Sequence, residues 1–594
     1  MRRTTARLLL LTGILVQGSS LVRAESLLID QPSSKDGVSL KNESGLVDQQ
    51  SLPTAIEIKG SRPKSDPSAL PPAATSLSEP LVPLTAPPPL ALPDKTSQVK
   101  IRELRPLTLE EVEQILEVNS PSLKAAASQV DQAKSFLREQ ISLWYPTLDL
   151  NANGLPQYFE QEEYRNPDFL PQVPNPKFDV TDPLNTESPT IKQPQPFYTR
   201  FRSVNFNANI AWNLIDPKRV PLIAAARDQY EQSQENYLIN LRELRLQAAE
   251  FYFNLQNQDD QVRIGQADVR ESLVSLQISG AKFQAGVVNK LDVLEAETQL
   301  ARAQQNLTVA LSNQAVARRR LAALLDLPQD ITPTAATPAQ VTGSWLPSLQ
   351  ESIIAAYTFR EELDNLILDI SIANSNANSS LAAVQPIVSL VNTFSTNRRE
   401  GGSAPGNPDD IPYDDYTYGW SNTVGLQATW RIFDGGAAQA GYRRFKQQAK
   451  EQEYNFASER DQIRFQVESS FNDLRSAQKN IHTTSIGVVS SREALQLSRL
   501  RFDAGVGTQR EIIDNQRDLT QAEVRYSTAI TQYNTSLARL RRFTGLDQVQ
   551  KCVKTTLPAE KPGNEYSEVP IIPIPERSAC DASVLPVGYI PSGV

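Results

Sequence analysis

Lys282-Phe283-Gln284-Ala285-Gly286-Val287 returns as Arg501-Phe502-Asp503-Ala504-Gly505-Val506, the same pattern 219 positions on (501 minus 282). Upstream of the first copy, Ala248, Leu255, Val262, Val269, Leu276 and Phe283 form an apolar stripe at a strict interval of seven. Val467, Leu474, Ile481, Val488, Leu495 and Phe502 repeat it at the same offset. An apolar residue at every seventh position keeps one helix face turned to a neighbour, so both stretches predict helices that coil around partners. The repeat is far longer than the roughly 20–50 residues of a solenoid unit and marks a duplicated half-molecule. The two halves are read as residues 107–331 and 345–546.

Working back from each tip, the helix starts after a turn, Ile215-Asp216-Pro217 in the first half and Phe433-Asp434-Gly435-Gly436 in the second. About seventy residues at about 1.5 Å each give a helix of roughly 100 Å. Beyond each tip the chain returns in a shorter helix, Asn289 to Leu325 and Gln509 to Phe543. The opening helix of the first half is also short: Thr108 and Glu111 form a capping box, and the helix is expected to continue to Leu143, before Pro146. Two short helices end to end thus match one long one, which suits the wall of a cylinder. A solid coiled coil is the competing reading of the heptads.

The strands favour the hollow form. Val204, Phe206, Ala208, Ile210 and Trp212 alternate with Asn205, Asn207, Asn209 and Ala211, so an apolar row opposes a row of asparagines. That pattern suits a barrel wall with lipid outside and water inside, and its length is that of a tilted membrane strand. Leu148, Leu150 and Ala152 alternate likewise, as do Val424, Leu426, Ala428 and Trp430, while Pro386 to Phe394 alternates poorly. A Pro-rich insert from Pro156 to Pro196 separates the first two strands. Four strands cannot close a barrel alone, so several chains would share one wall.

The ends read differently. Residues 1–24, with Arg2, Arg3 and Arg7 before the apolar run Leu8 to Val16, fit a secretory signal peptide. Residues 25–100 read as a Pro-rich disordered linker and residues 547–594 as a Pro-rich tail. The tail holds both cysteines, Cys552 and Cys580, which in an oxidising compartment can pair, free thiols being the alternative. No apolar run is long enough for a transmembrane helix, so entry into a membrane would require strands. A net charge of −9 without a dense basic block argues against nucleic acid. One histidine, His482, has no second ligand near it in sequence and reads as a helix-surface residue. Neither metal, cofactor nor catalytic constellation is expected. The remaining rivals are an exported structural coiled-coil protein and a periplasmic adaptor, which would carry one hairpin rather than two repeats.

The opening Leu107-Thr108-Leu109-Glu110-Glu111, the Asn119-Ser120-Pro121 after it, Phe433-Asp434-Gly435-Gly436, the Phe-x-x-Gly-Val tips and Thr544-Gly545-Leu546 together resemble the TolC family of outer membrane efflux proteins. The resemblance implies a mainly α protein with a transmembrane β-barrel, a homotrimer with a twelve-stranded barrel, and a helical tunnel across the periplasm. It also implies a periplasmic adaptor protein and an inner membrane ABC or RND-type transporter as partners, for efflux or type I secretion, with no chemistry of its own. On this likeness the tips Phe283, Gly286, Val287, Phe502, Gly505 and Val506 contact the adaptor, and Asn205, Asn207 and Asn209 face the barrel lumen. Glu511 and Asp514, with Asp292 and Glu295 in the first half, narrow the periplasmic mouth; residues three apart on a helix share a face, so each pair can point inward. The likeness further implies an arginine two residues after the tip glycine, tied to an acid equivalent to Asp292. This chain has Gly507 there, with Arg510 three positions on.

Overall fold

Pro121 and Ser120 decide where the first helix breaks. Proline lacks an N–H and suits the first turn of a helix, and the Ser120 side chain accepts from Leu123 N, so α1 (Leu109–Asn119) gives way to α2 (Pro121–Ser142). The single helix expected to run to Leu143 is therefore two. In a computed structural model of the chain, residues 70–101, 103–164, 172–191, 196–412, 415–552 and 580 are described. They belong to one of its two compact units, Ile58–Val594. The signal peptide, most of the linker and most of the tail lie outside the described residues.

Before α1 runs β1 (Glu103–Leu107), and after α2 come β2 (Thr147–Tyr164), the short pair β3 (Val173–Pro174) and β4 (Thr190–Ile191), and β5 (Pro196–Ile215). The long α3 (Arg219–Gln284) and the returning α4 (Lys290–Leu324) complete the first half. After β6 (Ile331–Ala335) and β7 (Gly343–Trp345) the second half repeats the plan: α5 (Leu349–Phe359), α6 (Glu361–Ala382), β8 (Ile387–Pro405), β9 (Tyr416–Thr429), α7 (Ala437–Asp503) and α8 (Gln509–Thr544). The helices match in length across the halves: 11 and 11, 22 and 22, 66 and 67, 35 and 36 residues. A last strand, β10 (Val549–Lys551), pairs antiparallel with β7, and β1 pairs parallel with β6.

Packing follows the stripes. In α7, Val467, Leu474, Ile481, Val488, Leu495 and Phe502 are all buried, from 0% to 7% exposed. On α3 the stripe is buried at Ala248, Leu255 and Val262 but reaches the surface at Phe283. Long helix α3 packs against α2 and α4 of its own half and α6 and α8 of the other, whereas α7 packs against α5, α6 and α8 of its own half. β2, β5, β8 and β9 form one antiparallel sheet in that order, leaving β2 and β9 as edges.

Two further expectations need correction. The strands are 18, 20, 19 and 14 residues long, and β2 runs to Tyr164, well into the insert expected to start at Pro156. A register irregularity between Asn153 and Gln157 carries β2 past the proline; Gly154 there has φ +66, and a Cβ would sit 2.6 Å from Ser203 O. The linker is likewise ordered near its end. Leu81 and Leu84 in a 3-10 turn are 1% and 2% exposed, inside the first-half core with Leu107, Tyr252 and Leu325. The strap gains backbone partners from charged side chains: Arg245 donates to Pro71 O (2.8 Å) and Pro72 O (3.1 Å), and Glu117 accepts from Ala74 N (2.6 Å). Extended proline-rich chain has no period to read, which is why the sequence pattern missed it.

Candidate functional site

Both helical tips are built alike. Gly286 and Gly505 adopt φ of +74 and +76, and the next N–H closes back on the helix, Val287 on Lys282 O (2.8 Å) and Val506 on Arg501 O (3.0 Å). This leaves Val287 and Val506 exposed at 69% and 70%. The two phenylalanines differ: Phe502 is 7% exposed and Phe283 42%. Lys282 crosses between the tips, its Nζ 3.8 Å from the centre of the Phe502 ring and 3.2 Å from Asp503.

The four acids of the expected mouth have distinct local roles. Asp292 and Asn289 exchange two 3.1 Å bonds as the capping box of α4. Glu511 stands in the first turn of α8, its N–H donating to the Thr508 hydroxyl, where a negative charge meets the positive end of the helix. Asp514 lies 3.2 Å from Arg517 and 3.9 Å from Arg510, and Arg510 lies 3.7 Å from Glu295. One guanidinium thus stands between an acid of each half. Gly507 is consumed by the turn: its N–H donates to Arg501 O (3.0 Å), and a Cβ there would lie 3.0 Å from Phe502 N.

Behind the tips the halves are joined by polar contacts that the sequence reading did not single out. Arg499 and Glu271 meet at 2.5 Å, Gln509 and Ser275 at 2.6 Å, and Gln516 donates to Asp268 at 3.2 Å. Glu271, Ser275, Arg499, Gln509 and Gln516 line a cleft with Ile278, Phe502 and Ile512. Burial raises the Asp268 carboxyl above its ordinary range, against the Gln516 and Thr520 bonds that lower it. The available signal was charge flanking an apolar seam, the pattern by which coiled helices choose partners.

At the other end the sheet has two unlike faces, since residues directly opposite in antiparallel strands share a side. Asp149, Asn209, Thr393 and Thr423 stand in one row, Asn151, Asn207, Ser395 and Ser421 in the next, and Asn153, Asn205, Asn397 and Gly419 in a third. Thr393 donates to Asn209 (2.9 Å) and Ser389 to Asn213 (2.7 Å) along this polar face. The opposite face carries Leu148, Leu150, Phe206, Ile210, Phe394, Val424 and Leu426, every one exposed. Trp430 and Trp420 stand at its two ends, 61% and 68% exposed, with Trp430 Nε1 donating to Val384 O and its counterpart Trp212 to Trp144 O. An apolar band with aromatic residues at its ends is the pattern of a lipid-facing barrel wall. Among the described residues no helix is long and apolar enough to cross a membrane, and no cluster suited to a metal ion occurs. Cys552 and Cys580 form a disulfide, Cα to Cα 5.6 Å, against the second-half core.

The sequence profile described as outer membrane efflux protein matches residues 112–326 and 357–546. The chain is 24% identical over 318 residues to alkaline protease secretion protein AprF of Pseudomonas aeruginosa, covering 53% of this chain and 64% of AprF. It is 24% identical over 334 residues to outer membrane protein TolC of Escherichia coli, covering 51% of this chain and 61% of TolC. The chain therefore spans less than two thirds of either relative. The outer-membrane channel OprN superposes with a TM-score of 0.55 at 16% identity, over 80% of this chain and 99% of that one, a likeness of fold. The chain belongs to the outer membrane efflux protein family, and its place is the outer membrane.

Proposed function

We propose that three copies close a twelve-stranded barrel in the outer membrane, four strands each, continued by a tunnel of α-helices, and that this trimer is the passive exit duct of a tripartite efflux pump or a type I secretion system. The four-stranded sheet, whose edge strands β2 and β9 have no further partner among the described residues, carries the reading. Lipid offers no partner to a strand edge, so these edges must meet other copies. The duplication supports the same closure: among the described residues α3 packs against α2 and α4 of its own half and α6 and α8 of the other, while α7 packs against helices of its own half, so by the repeat α2 and α4 of the next copy complete the surroundings of α7.

In this duct Asn205, Asn207 and Asn209 face water in the barrel. Glu511, Asp514, Asp292 and Glu295 form the narrow mouth, and the tips at Phe283, Gly286, Val287, Phe502, Gly505 and Val506 meet a periplasmic adaptor that links the duct to an inner membrane ABC or RND-type transporter. Solutes pass without being altered, so neither catalysis nor a cofactor is required. Native mass spectrometry of the chain extracted from outer membranes in detergent tests this: a three-chain mass is expected, and a monomer soluble without detergent would contradict it.

A further inference from the structure

Arg399 is the exception on the polar face of the sheet. Alternate residues of a strand share a side, so the face with Asn205, Asn207 and Asn209 also carries the row Gln157, Ser203, Arg399 and Thr417. Among the described residues of β2, β5, β8 and β9, Arg399 is the one lysine or arginine on this side. Its chain neighbours Arg398 and Glu400 lie on the opposite face and pair with each other at 2.5 Å. The acids of the polar face are distant. Asp149 stands opposite Asn209 and Glu163 opposite Phe197, each six positions along β5 from Ser203 (209 minus 203, 203 minus 197). At about 3.4 Å per residue that is roughly 20 Å, twice the range over which ordinary salt lets exposed charges act.

An aromatic ring takes the place of an acid. The Arg399 guanidinium carbon stands 3.5 Å from the centre of the Phe201 ring, and Phe201 is stacked on Phe159 with 4.7 Å between centroids. Phe201 is the diagonal neighbour of Arg399 across the β5–β8 pair. Gly401, directly opposite Phe201, has φ +110, and a Cβ there would collide with Arg200 O, so no side chain at 401 competes for the ring. Stacking holds a guanidinium by its flat side and leaves its N–H edge for an oxyanion, which it meets with two parallel bonds. The register also gives the height. β9 runs towards α7, and Thr417 lies three positions, about 10 Å, before Trp420, the end of the apolar band farther from the helices. Arg399 thus stands past that band, at the end of the sheet away from the helical tips.

We propose that Arg399, seated on Phe201, is an oxyanion-binding residue at the outer exit of the duct, one per copy, and engages phosphate or carboxylate groups of anionic solutes as they leave. The inference rests on the duct proposed above, which puts the polar face inside. Small-ion selectivity stays with the narrow acidic mouth. The wider exit acts on polyvalent anions, which concentrate where several cations face one lumen.

Inorganic tripolyphosphate is the probe, applied to the full chain in planar bilayers free of polyvalent cations. Added on the barrel side, it should lower the current at a half-blocking concentration that Arg399→Gln raises roughly tenfold or more, the loss expected for a bond to a charged group. Arg399→Lys, which keeps the charge but loses the fork, should raise it by less. Arg398→Gln, on the opposite face, should leave it unchanged. If Arg399→Gln does not assemble, Arg399→Lys decides the matter. A measurable current with no block from the barrel side, or with the same half-blocking concentration in the Arg399 variants as in the unaltered chain, overturns the site and leaves the duct standing. An effect of Arg398→Gln as large as that of Arg399→Gln means a diffuse field rather than a site and also overturns it. No current through the unaltered chain removes the duct and the site together.

Discussion

Arg242 holds its guanidinium 2.6 Å from Glu361 and donates to Phe359 O at 3.0 Å, with the two side chains 8% and 0% exposed. Burial lowers the pKa of Arg242 and the Glu361 charge opposes that shift. A charge left alone at such a site costs about 3–5 kcal/mol, so Glu361→Leu should lower the unfolding midpoint sharply in detergent, and Arg242→Met with Glu361→Leu should lower it much less. Glu362 titrates in the opposite sense from Asp268. Burial would raise the Glu362 carboxyl, but Arg360 at 2.8 Å and Arg542 at 2.7 Å outweigh it and hold it well below the usual range. Its contribution is complete above the ordinary value of 4.5 and is lost as pH falls through the depressed folded value. Glu362→Gln should therefore flatten the acid limb of a stability-against-pH curve. For Asp268, raised by burial, stability instead declines as pH rises past the ordinary 3.8 through the folded value, so Asp268→Asn should stabilise at neutral pH and lose that gain in acid. An unaltered pH dependence in either variant would remove the assigned role. The Thr108–Glu111 box was legible because both partners lie within one turn. Arg242 and Glu361 are 119 positions apart (361 minus 242), and no local pattern joins them.

At the scale of elements the stripe makes an unequal prediction from equal sequence. Ile481→Ala at a position 0% exposed should cost about 2–5 kcal/mol, whereas Phe283→Ala, 42% exposed at its tip, should leave thermal unfolding nearly unchanged. Long helices and their returns were legible because an interval of seven persists over many turns. Ser120-Pro121 signals the break between α1 and α2, but its counterpart before α6 has Arg360 in place of the serine, which no repeat pattern announces. Full strand lengths are not legible because the outer parts of β2 and β8 exchange clean alternation for Glu162-Glu163 and for Arg398-Arg399-Glu400-Gly401, residues that suit water beyond the membrane. At the tips the acids were legible as pairs on a helix face, but Arg510 and Lys282, which connect the two halves, emerge only when the halves are brought side by side.

The whole molecule is governed by incompleteness. Among the described residues its sheet has two unpaired edges, α7 packs against helices of its own half where α3 packs against both, and the apolar strand face is uncovered. Each becomes satisfied if identical copies close a ring in a bilayer, which leaves the polar rows inside and the acids of the tips at one end. Duplication made this plan readable from sequence; the number of copies came from resemblance. Conductance in a planar bilayer examines the duct most directly. The trimer should pass little current, prefer cations and be blocked by polyvalent cations added at the tip side. Glu511→Gln with Asp514→Asn, which removes six charges from three copies, should relieve that block, while Asp149→Asn in the wider barrel should not, because exposed charges are screened within about 8–10 Å at ordinary salt. Unchanged selectivity and unchanged block in the double variant would place these carboxylates away from the constriction and contradict the account of the mouth.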